Sequence, residues 1–535
     1  MGWFNRKRKI KQKIKDAFGK PKQETFVFEN IRRYFDRNTA EDNFQTFSEK
    51  TCNDLNFENM YAFSDRTASK VGQQCLYNRM RKVPVNRKQF DMLEKWADEF
   101  QKDESLRTNV QLILRELNDP DAYYLCDIFQ SEQVKRPKWL GFAYLLSFTN
   151  LLAMLLMAIT PQYIILILLL TITNTILHYI NKKNVFTYLY SMPQLRSLNR
   201  VAKKLLSVHQ IKSTGQIPKK SIHILNKINK KLWIFNLSKI LQGDPTGILY
   251  SLFELIKMIF LIEPIILFRG LKRIKNHEKE LQEVFKFVGM VDVAVSVSSL
   301  RSGLSVYCLP DIISSEKEMH FTDLYIPIID PCVPNSLDVK GKSVLITGSN
   351  MSGKTTFIRS VGINTMMALT LNTCFARTFV IPRFRLYSSI LINDDLMNDK
   401  SFYFEEVLTI KEMIKKSQSS GPNLFLLDEI YKGTNTVERV SGGKAVLSWL
   451  NRGENIVFIT THDIELTEFL DGEYDLYHFS EQVNKQHISF DYKIKNGKLK
   501  TRNAIKILEA NDYPQSLISE ARKLSYEMDK FRQKV

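Results

Sequence analysis

From Trp139 to Asn181 the chain reads WLGFAYLLSFTNLLAMLLMAITPQYIILILLLTITNTILHYIN, 43 residues without one Asp, Glu, Lys or Arg. A run this long and uncharged needs either lipid around it or a large core. Pro161-Gln162 divides it near the middle into two spans of about 20 residues, each the length of helix that crosses a bilayer's hydrocarbon. Eleven Leu and Ile lie between Ile164 and Ile180. At roughly −0.5 kcal/mol each they favour insertion by about −5 kcal/mol, against the cost of Asn174 and His178. The alternative is a helical hairpin buried in a large soluble core. Lys135, Arg136 and Lys138 precede the run and Lys182 and Lys183 follow it. Cationic flanks stay on the cytoplasmic side. The expectation is therefore an integral protein of the cytoplasmic membrane, in contact with lipid through residues 139–181, with both termini and all else cytoplasmic. A third apolar stretch, GILYSLFELIKMIFLIEPIILF (247–268), contains Glu254, Lys257 and Glu263. Each is expensive at a bilayer centre, so the stretch reads as one long core helix, at most touching the membrane surface.

A chain of 535 residues should hold several domains, since single cores rarely exceed about 250–300 residues. Its formal net charge is +19, a balance that suits nucleic acid or anionic lipid and does not choose between them. Part of the excess is local: residues 1–22 carry nine basic side chains against Asp16. With Trp3, Phe4, Ile10, Ile14 and Phe18 they could form a basic amphipathic helix on a membrane, or a solvated tail. The six cysteines are scattered without Cys-x-x-Cys spacing, which argues against a disulfide framework or zinc site and for a reducing compartment.

The segment GSNMSGKT (348–355) fits G-x-x-x-x-G-K-[ST] completely. KSVLIT before it reads as a strand and TTFIRSVGINTMMAL, from Thr355 on, as a helix, the context that motif needs. Gly348, Ser349, Asn350, Met351, Ser352, Gly353, Lys354, Thr355 and Thr356 are the expected nucleotide-binding residues. Backbone N–H groups close around phosphate oxygens, and the helix N-terminus adds its positive end. Lys354 is expected to reach the β- and γ-phosphates of ATP and Thr355 to ligate Mg²⁺. A second strand, NLFLLDEI (423–430), delivers Asp428 to the metal and Glu429 to the attacking water, to orient or deprotonate it. A third, NIVFITTHD, brings His462 to the same edge, where it could sense the γ-phosphate. The expected enzyme is a P-loop ATP hydrolase with Glu429, Lys354 and His462 catalytic.

TGSNMSGKTTFIR resembles the phosphate loop of the MutS family of mismatch-repair ATPases, in which Asn350 and Met351 are the distinguishing letters. NDDLMNDKSFYFEEV (393–407) resembles that family's DDL-x-x-x-x-S-x-F segment, with Ser401 and Glu406 in matching places. DEIYKGTNT (428–436) resembles DEIGRGTST, and TTHDIEL resembles the family's ATH switch. CVPNS (332–336) resembles the adenine-covering loop, with Asn335 matching and Cys332 where an aromatic often stands. RNAIKILEANDYPQSLISEARKL (502–524) resembles the C-terminal helices that pair two ATPase domains, and AFSDRTASKVGQQCLYNRMRKVP (62–84) more distantly resembles the core domain. The resemblance implies a homodimer in which the loop Gly433, Thr434, Asn435 and Thr436 completes the partner's nucleotide site. Asn435 replaces the usual Ser, and an amide can still donate to a phosphate oxygen. The mismatch-reading domain and its G-x-F-[FY]-E wedge have no counterpart; Phe47-Ser48-Glu49 has only the bare F-x-E spacing.

The expected architecture is multi-domain: an α-helical core/lever region with a two-helix transmembrane hairpin, then an α/β P-loop (ABC-type) ATPase domain. Its divisions are 1–24 (basic amphipathic segment), 25–137 (helical, core-like), 138–183 (hairpin), 184–314 (core/lever), 315–500 (ATPase) and 501–535 (dimerisation). DNA is a possible partner, supported by lysines 203, 204, 212, 219, 220, 227, 230 and 231, which could equally face anionic lipid. The alternative is a membrane-tethered remodelling or signalling ATPase without DNA. A transporter fits poorly, since two spans make a poor path and the signature loop is not of the LSGGQ type.

Overall fold

The computed structural model describes residues 2–534 apart from 39–41, 131–135, 185, 214–216, 233–234, 236, 238–240, 242–246, 315–316, 350, 391–401, 420, 485–486, 500–504, 506–507 and 510–512. The chain divides into two units: 1–43, 61–81 and 85–303 form the first, and 44–60, 82–84 and 304–535 the second. Residues 44–60 and 82–84, which the sequence divisions assign to the helical region, thus pack with the second unit.

The first unit is helical. Its elements include α1 (Gly2–Ala17), α2 (Lys70–Arg81), α3 (Lys88–Lys102), α4 (Glu104–Leu114), α5 (Leu140–Met157), α6 (Tyr163–Asn184), α7 (Ile248–Ile259), α8 (Ile262–Lys275) and α9 (Glu278–Ser302). Helix α9 is buried from Leu281 to Arg301 save for four positions, and glycines let α2 approach it closely. A Cβ on Gly289 would lie 2.1 Å from Cys75 Sγ, and one on Gly72 would lie 2.1 Å from Asp292 Oδ2. Asp292 accepts from the backbone N–H groups of Ala68 (2.7 Å) and Ser69 (2.8 Å) just before α2, donors that a helix start otherwise leaves orphaned. Helix α1 is docked at its C-terminal end: Ile14 is buried, Lys15 pairs with Glu104 of α4 at 2.5 Å, and the Arg107 guanidinium lies 3.6 Å from the Phe18 ring centroid.

Among the described residues α5 and α6 are the helices long and apolar enough to cross a membrane. Their large apolar side chains point outward: Phe148 is 63% and Ile165 65% exposed. The stretch 247–268 is not the single core helix expected. It breaks at Phe260–Leu261, where Leu261 has φ 47°, and α7 is exposed along Ile248, Leu249, Leu252, Leu255 and Ile256. The break is tolerated because side chains of α5 and α6 satisfy the carbonyls it frees: Asn174 and Asn150 donate to Ile259 O (2.6 and 3.3 Å) and Ser147 to Phe260 O (2.6 Å).

The second unit is built on six strands: β1 (Ser343–Thr347), β2 (Arg385–Ser389), β3 (Asn423–Asp428), β4 (Ile456–Thr460), β5 (Tyr474–His478) and β6 (Lys495–Asn496). Their spatial order is β6-β5-β1-β4-β3-β2. All neighbours are parallel except the edge pair β5/β6. Strands β1, β3 and β4 are buried at every residue, as their unbroken apolar runs require in a sheet covered on both faces. A four-stranded sheet of Asp311–Ile313, Glu318–Leu324, Asn335–Lys340 and Thr378–Pro382 accompanies it. Helices α10 (Lys354–Leu371), α11 (Phe402–Ser417) and α12 (Thr436–Leu450) complete the unit used below. Segment 44–60 is held in place by Asp54, whose carboxylate accepts from Ser388 Oγ (2.7 Å) and Ile390 N (3.1 Å).

Candidate functional site

The carboxyl ends of β1, β4 and β3 lie side by side, with Thr460 in register with Ile346 on one flank and Asp428 on the other. Ligands of open α/β sheets bind at such an edge. From β1 the chain turns through Gly348 (φ 144°) and Gly353 (φ 101°) into α10. Both need glycine: a Cβ on Gly348 would sit 2.7 Å from Phe479 O, and one on Gly353 3.2 Å from a Tyr492 ring carbon. Ser352 Oγ donates to Ser349 O (2.7 Å) and Ser349 Oγ to Glu481 (3.1 Å), bracing the loop from within. Met351 is exposed and Thr356 half-buried; Asn350 and Ser401 lie outside the described residues.

Lys354 is buried, and its ammonium donates to the carbonyls of Gly348 (2.6 Å) and Ser349 (2.8 Å). Burial lowers its pKa to about 8, against the opposing pull of Glu429 and Asp428. Thr355 Oγ1 donates to Asp428 Oδ2 at 2.8 Å, and Thr460 holds the other carboxylate oxygen. A hydroxyl beside an anchored carboxylate is a hard oxygen pair of the kind that takes a magnesium ion.

Glu429 follows β3 in a left-handed conformation (φ 57°), as does Tyr431 (φ 58°), a backbone strain of about 1–3 kcal/mol each that clusters at functional sites. Glu429 N donates to Thr460 O (2.9 Å), and buried Glu406 of α11 accepts from Tyr431 N (2.5 Å). Burial pushes the Glu406 carboxyl above its ordinary value. His462 Nε2 lies 2.9 Å from Glu429 Oε1 and 3.3 Å from Lys354 Nζ. One ring nitrogen cannot both donate to the carboxylate and accept from the ammonium, so the shorter contact puts a proton on Nε2. With Lys432 Nζ 3.5 Å from its other oxygen, Glu429 has its pKa lowered to about 2, chiefly by the His462 hydrogen bond and then by Lys432, with burial opposing. An anion this stable is a weak proton acceptor and is better suited to orienting a water.

Beside the loop opens a cavity of about 470 Å³, walled by Ile329, Pro331, Val333, Phe479 and Tyr492. Asn335 lines it too, but its amide is turned to the chain: Nδ2 donates to Tyr492 O (3.0 Å), and Oδ1 accepts from Ile494 N (2.8 Å). Asn335 thereby holds the segment that presents Tyr492, whose ring stacks on Phe490 with centroids 5.8 Å apart. Tyr492 supplies an aromatic wall that the absence of one at Cys332 had left open. Sequence reasoning missed it, because FDYKIKNG carries no motif, and missed Thr460 although TTHD was in view.

Gly433, Asn435 and Thr436 are exposed and Thr434 half-buried. Asn435 caps α12 by accepting from Glu438 N (3.0 Å), Thr434 Oγ1 donates to Glu438 (2.9 Å), and Arg439 grips Asp463 with two bonds of 2.9 and 2.7 Å. This loop is not gathered with Lys354, Thr355, Asp428, Glu429 and His462; it stands at the start of a neighbouring helix.

Fold and site define an α/β unit in which a glycine-bounded loop, an acidic strand and a histidine meet at one sheet edge. Residues 344–529 match the family model described as MutS domain V. Over 266 residues, 47% of this chain and 32% of the relative, the sequence is 28% identical to the DNA mismatch repair protein MutS of Thermotoga petrophila. It is 27% identical over 272 residues to the DNA mismatch repair protein MutS of Bacillus licheniformis, spanning 48% of this chain and 30% of that one. The Staphylococcus aureus strain JH9 protein of the same name is 26% identical over 270 residues, again 48% and 30%. Family model and relatives together support kinship with the MutS family. The chain spans about a third of the length of these curated relatives.

Proposed function

We propose that this chain is a membrane-anchored MutS-type P-loop ATPase: it binds and hydrolyses ATP at a site completed by a second copy, and couples that cycle to DNA. The observation that carries the reading is the meeting of Lys354, the Thr355–Asp428 pair and the Glu429–His462 pair at one sheet edge, beside an aromatic-walled cavity sized for a base. The loop N–H groups and Lys354 bind the phosphates, and Tyr492 and Phe479 hold the base. Thr355 and Asp428 would hold Mg²⁺, which when bound neutralises phosphate charge. Glu429, fixed by His462, orients the water. The exposed Gly433–Thr436 loop, with its Asn435 amide, is the part offered to the partner's phosphate.

Helices α5 and α6, with outward apolar side chains and cationic flanks, support the anchor, and both termini and the ATPase unit lie on its cytoplasmic side. The link to DNA rests on the relatives' names and the positive balance, so an ATPase that remodels membrane proteins without DNA is the second reading. ATP turnover of the full chain in detergent, with Lys354→Ala and Glu429→Gln beside it, tests the enzyme. Both variants should lose turnover, Glu429→Gln while retaining ATP; wild-type indifference to ATP sinks the proposal. Duplex, branched and single-stranded DNA titrated at increasing salt test the coupling. Affinity should fall steeply with salt, and no binding at low salt leaves the second reading.

A further inference from the structure

The stretch 247–268 carries a second surface. Along α7 the apolar side chains Leu252 (53% exposed), Ile248, Leu249, Leu255 and Ile256 face outward, while its charges face inward. Lys257 is buried and pairs with Glu254 at 2.5 Å and Glu263 at 2.9 Å. His178 of α6 lies within 4.8 Å of both carboxylates. The three charges that argue from sequence against lipid contact are therefore turned to one another and to the hairpin. Depth follows from the caps. Asn150 and Ser147 lie near the middle of α5 and Asn174 near the middle of α6, and these are the residues that satisfy Ile259 O and Phe260 O at the break. The break thus sits about halfway along the hairpin. Helix α7 has 12 residues, about 18 Å at 1.5 Å each and roughly half the hydrocarbon thickness. Past the break, α8 is apolar save Glu263 until Arg269, which lies over the Tyr144 ring at 4.9 Å, and Lys272, Arg273 and Lys275 follow. A cation–aromatic pair ahead of a basic run marks where a segment leaves a bilayer for its headgroups.

We propose that residues 247–268 form a re-entrant membrane element, which enters the lipid with α7, turns at Phe260–Leu261 in mid-bilayer and leaves by the same face with α8. The partner of the outward face of α7 is phospholipid acyl chain, and the surface continues that of α5 and α6. The proposal rests on the hairpin itself being lipid-embedded. Irregular backbone at this depth is tolerated only where protein covers it, and Asn150, Asn174 and Ser147 supply that cover. Entry and exit on one face keep the ATPase unit on the side of both hairpin ends, which a third crossing would not.

The full chain, reconstituted into phosphatidylcholine–phosphatidylglycerol vesicles, would carry a diazirine side chain in place of Leu252, of Ile256 or, as the hairpin reference, of Leu168. On irradiation, lipid adducts at 252 and 256 are expected within about twofold of those at 168, as lipid on all three faces requires. Lipid adducts at 168 with only water or protein adducts at 252 and 256 overturn the re-entrant element and leave the hairpin standing. Absence of lipid adducts at all three positions overturns the membrane reading as well.

Discussion

Lys354 is where burial and function conflict most openly. In the free site its pKa is lowered to about 8 by burial, whereas a bound triphosphate would raise it. Between those two values binding takes up a proton, so affinity should weaken as pH rises above about 8 and hold steady below. Calorimetric titrations in buffers of different ionisation enthalpy should record that uptake at pH 9 and little at pH 6.5. Glu429 has the opposite displacement and stays ionised across that range, so acid loss of activity above pH 5 would point to another group. Tyr492 makes a simpler claim. Base–aromatic stacking contributes roughly 1–3 kcal/mol, so Tyr492→Ala should weaken a fluorescent ATP analogue about 5- to 150-fold, and Tyr492→Phe should change little. Asn335→Ala should weaken it too, without touching the base, because it removes both bonds that hold residues 492–494.

At the scale of elements, glycine decides how closely α2 and α9 pack. Gly289→Ala places a methyl 2.1 Å from Cys75 Sγ, and forced overpacking of this kind costs about 1–3 kcal/mol. A lowered midpoint in thermal unfolding is expected, with Gly472→Ala, whose Cβ meets nothing within 4 Å, as the unaffected control. Strands β1, β3 and β4 were readable from sequence because each is an apolar run and a parallel sheet covered on both faces leaves no alternation to look for, whereas β2, β5 and β6, with the sequences RLYSS, YDLYH and KN, carry no such run. The break at Phe260–Leu261 was legible only in part. Pro264 cannot donate to Phe260 O, four residues back, and its ring crowds that carbonyl, a local signal that the apolar run around it masked. The break persists because Asn150, Asn174 and Ser147, about 85 to 113 residues away in sequence, satisfy the carbonyls it frees. For residues 1–22 the sequence left a membrane-lying helix and a solvated tail both open; the structure has a helix there, and its docking on α4 depends on Glu104 and Arg107, which its own sequence does not contain.

For the molecule as a whole, the proposals of dimer and membrane make separate claims. Asn435→Ala should lower turnover only where two copies associate; an equal loss at concentrations that keep the chain monomeric would contradict action across an interface. The loss should stay modest for stability, since a lost helix cap costs about 1 kcal/mol. Alkaline carbonate should leave the full chain in the membrane fraction, because exposed side chains such as Ile165 and Phe148 hold by burial in lipid and not by charge. Release into the supernatant would remove the anchor from the account.

By itself the sequence determined the features set by local chemistry. These are the phosphate-type loop with glycines at both ends, the acids at the end of an apolar strand, and the two uncharged spans. Only the tertiary structure decided which distant groups meet. It turned Asn335 to hold Tyr492, set His462 between Lys354 and Glu429, drew residues 44–60 into the α/β unit through Asp54, and folded the charges of 247–268 against one another. The physical reason is range. Backbone preference and hydrophobic pattern act over a few residues and are written where they act, whereas burial and pairing of a polar group depend on whatever the fold brings beside it.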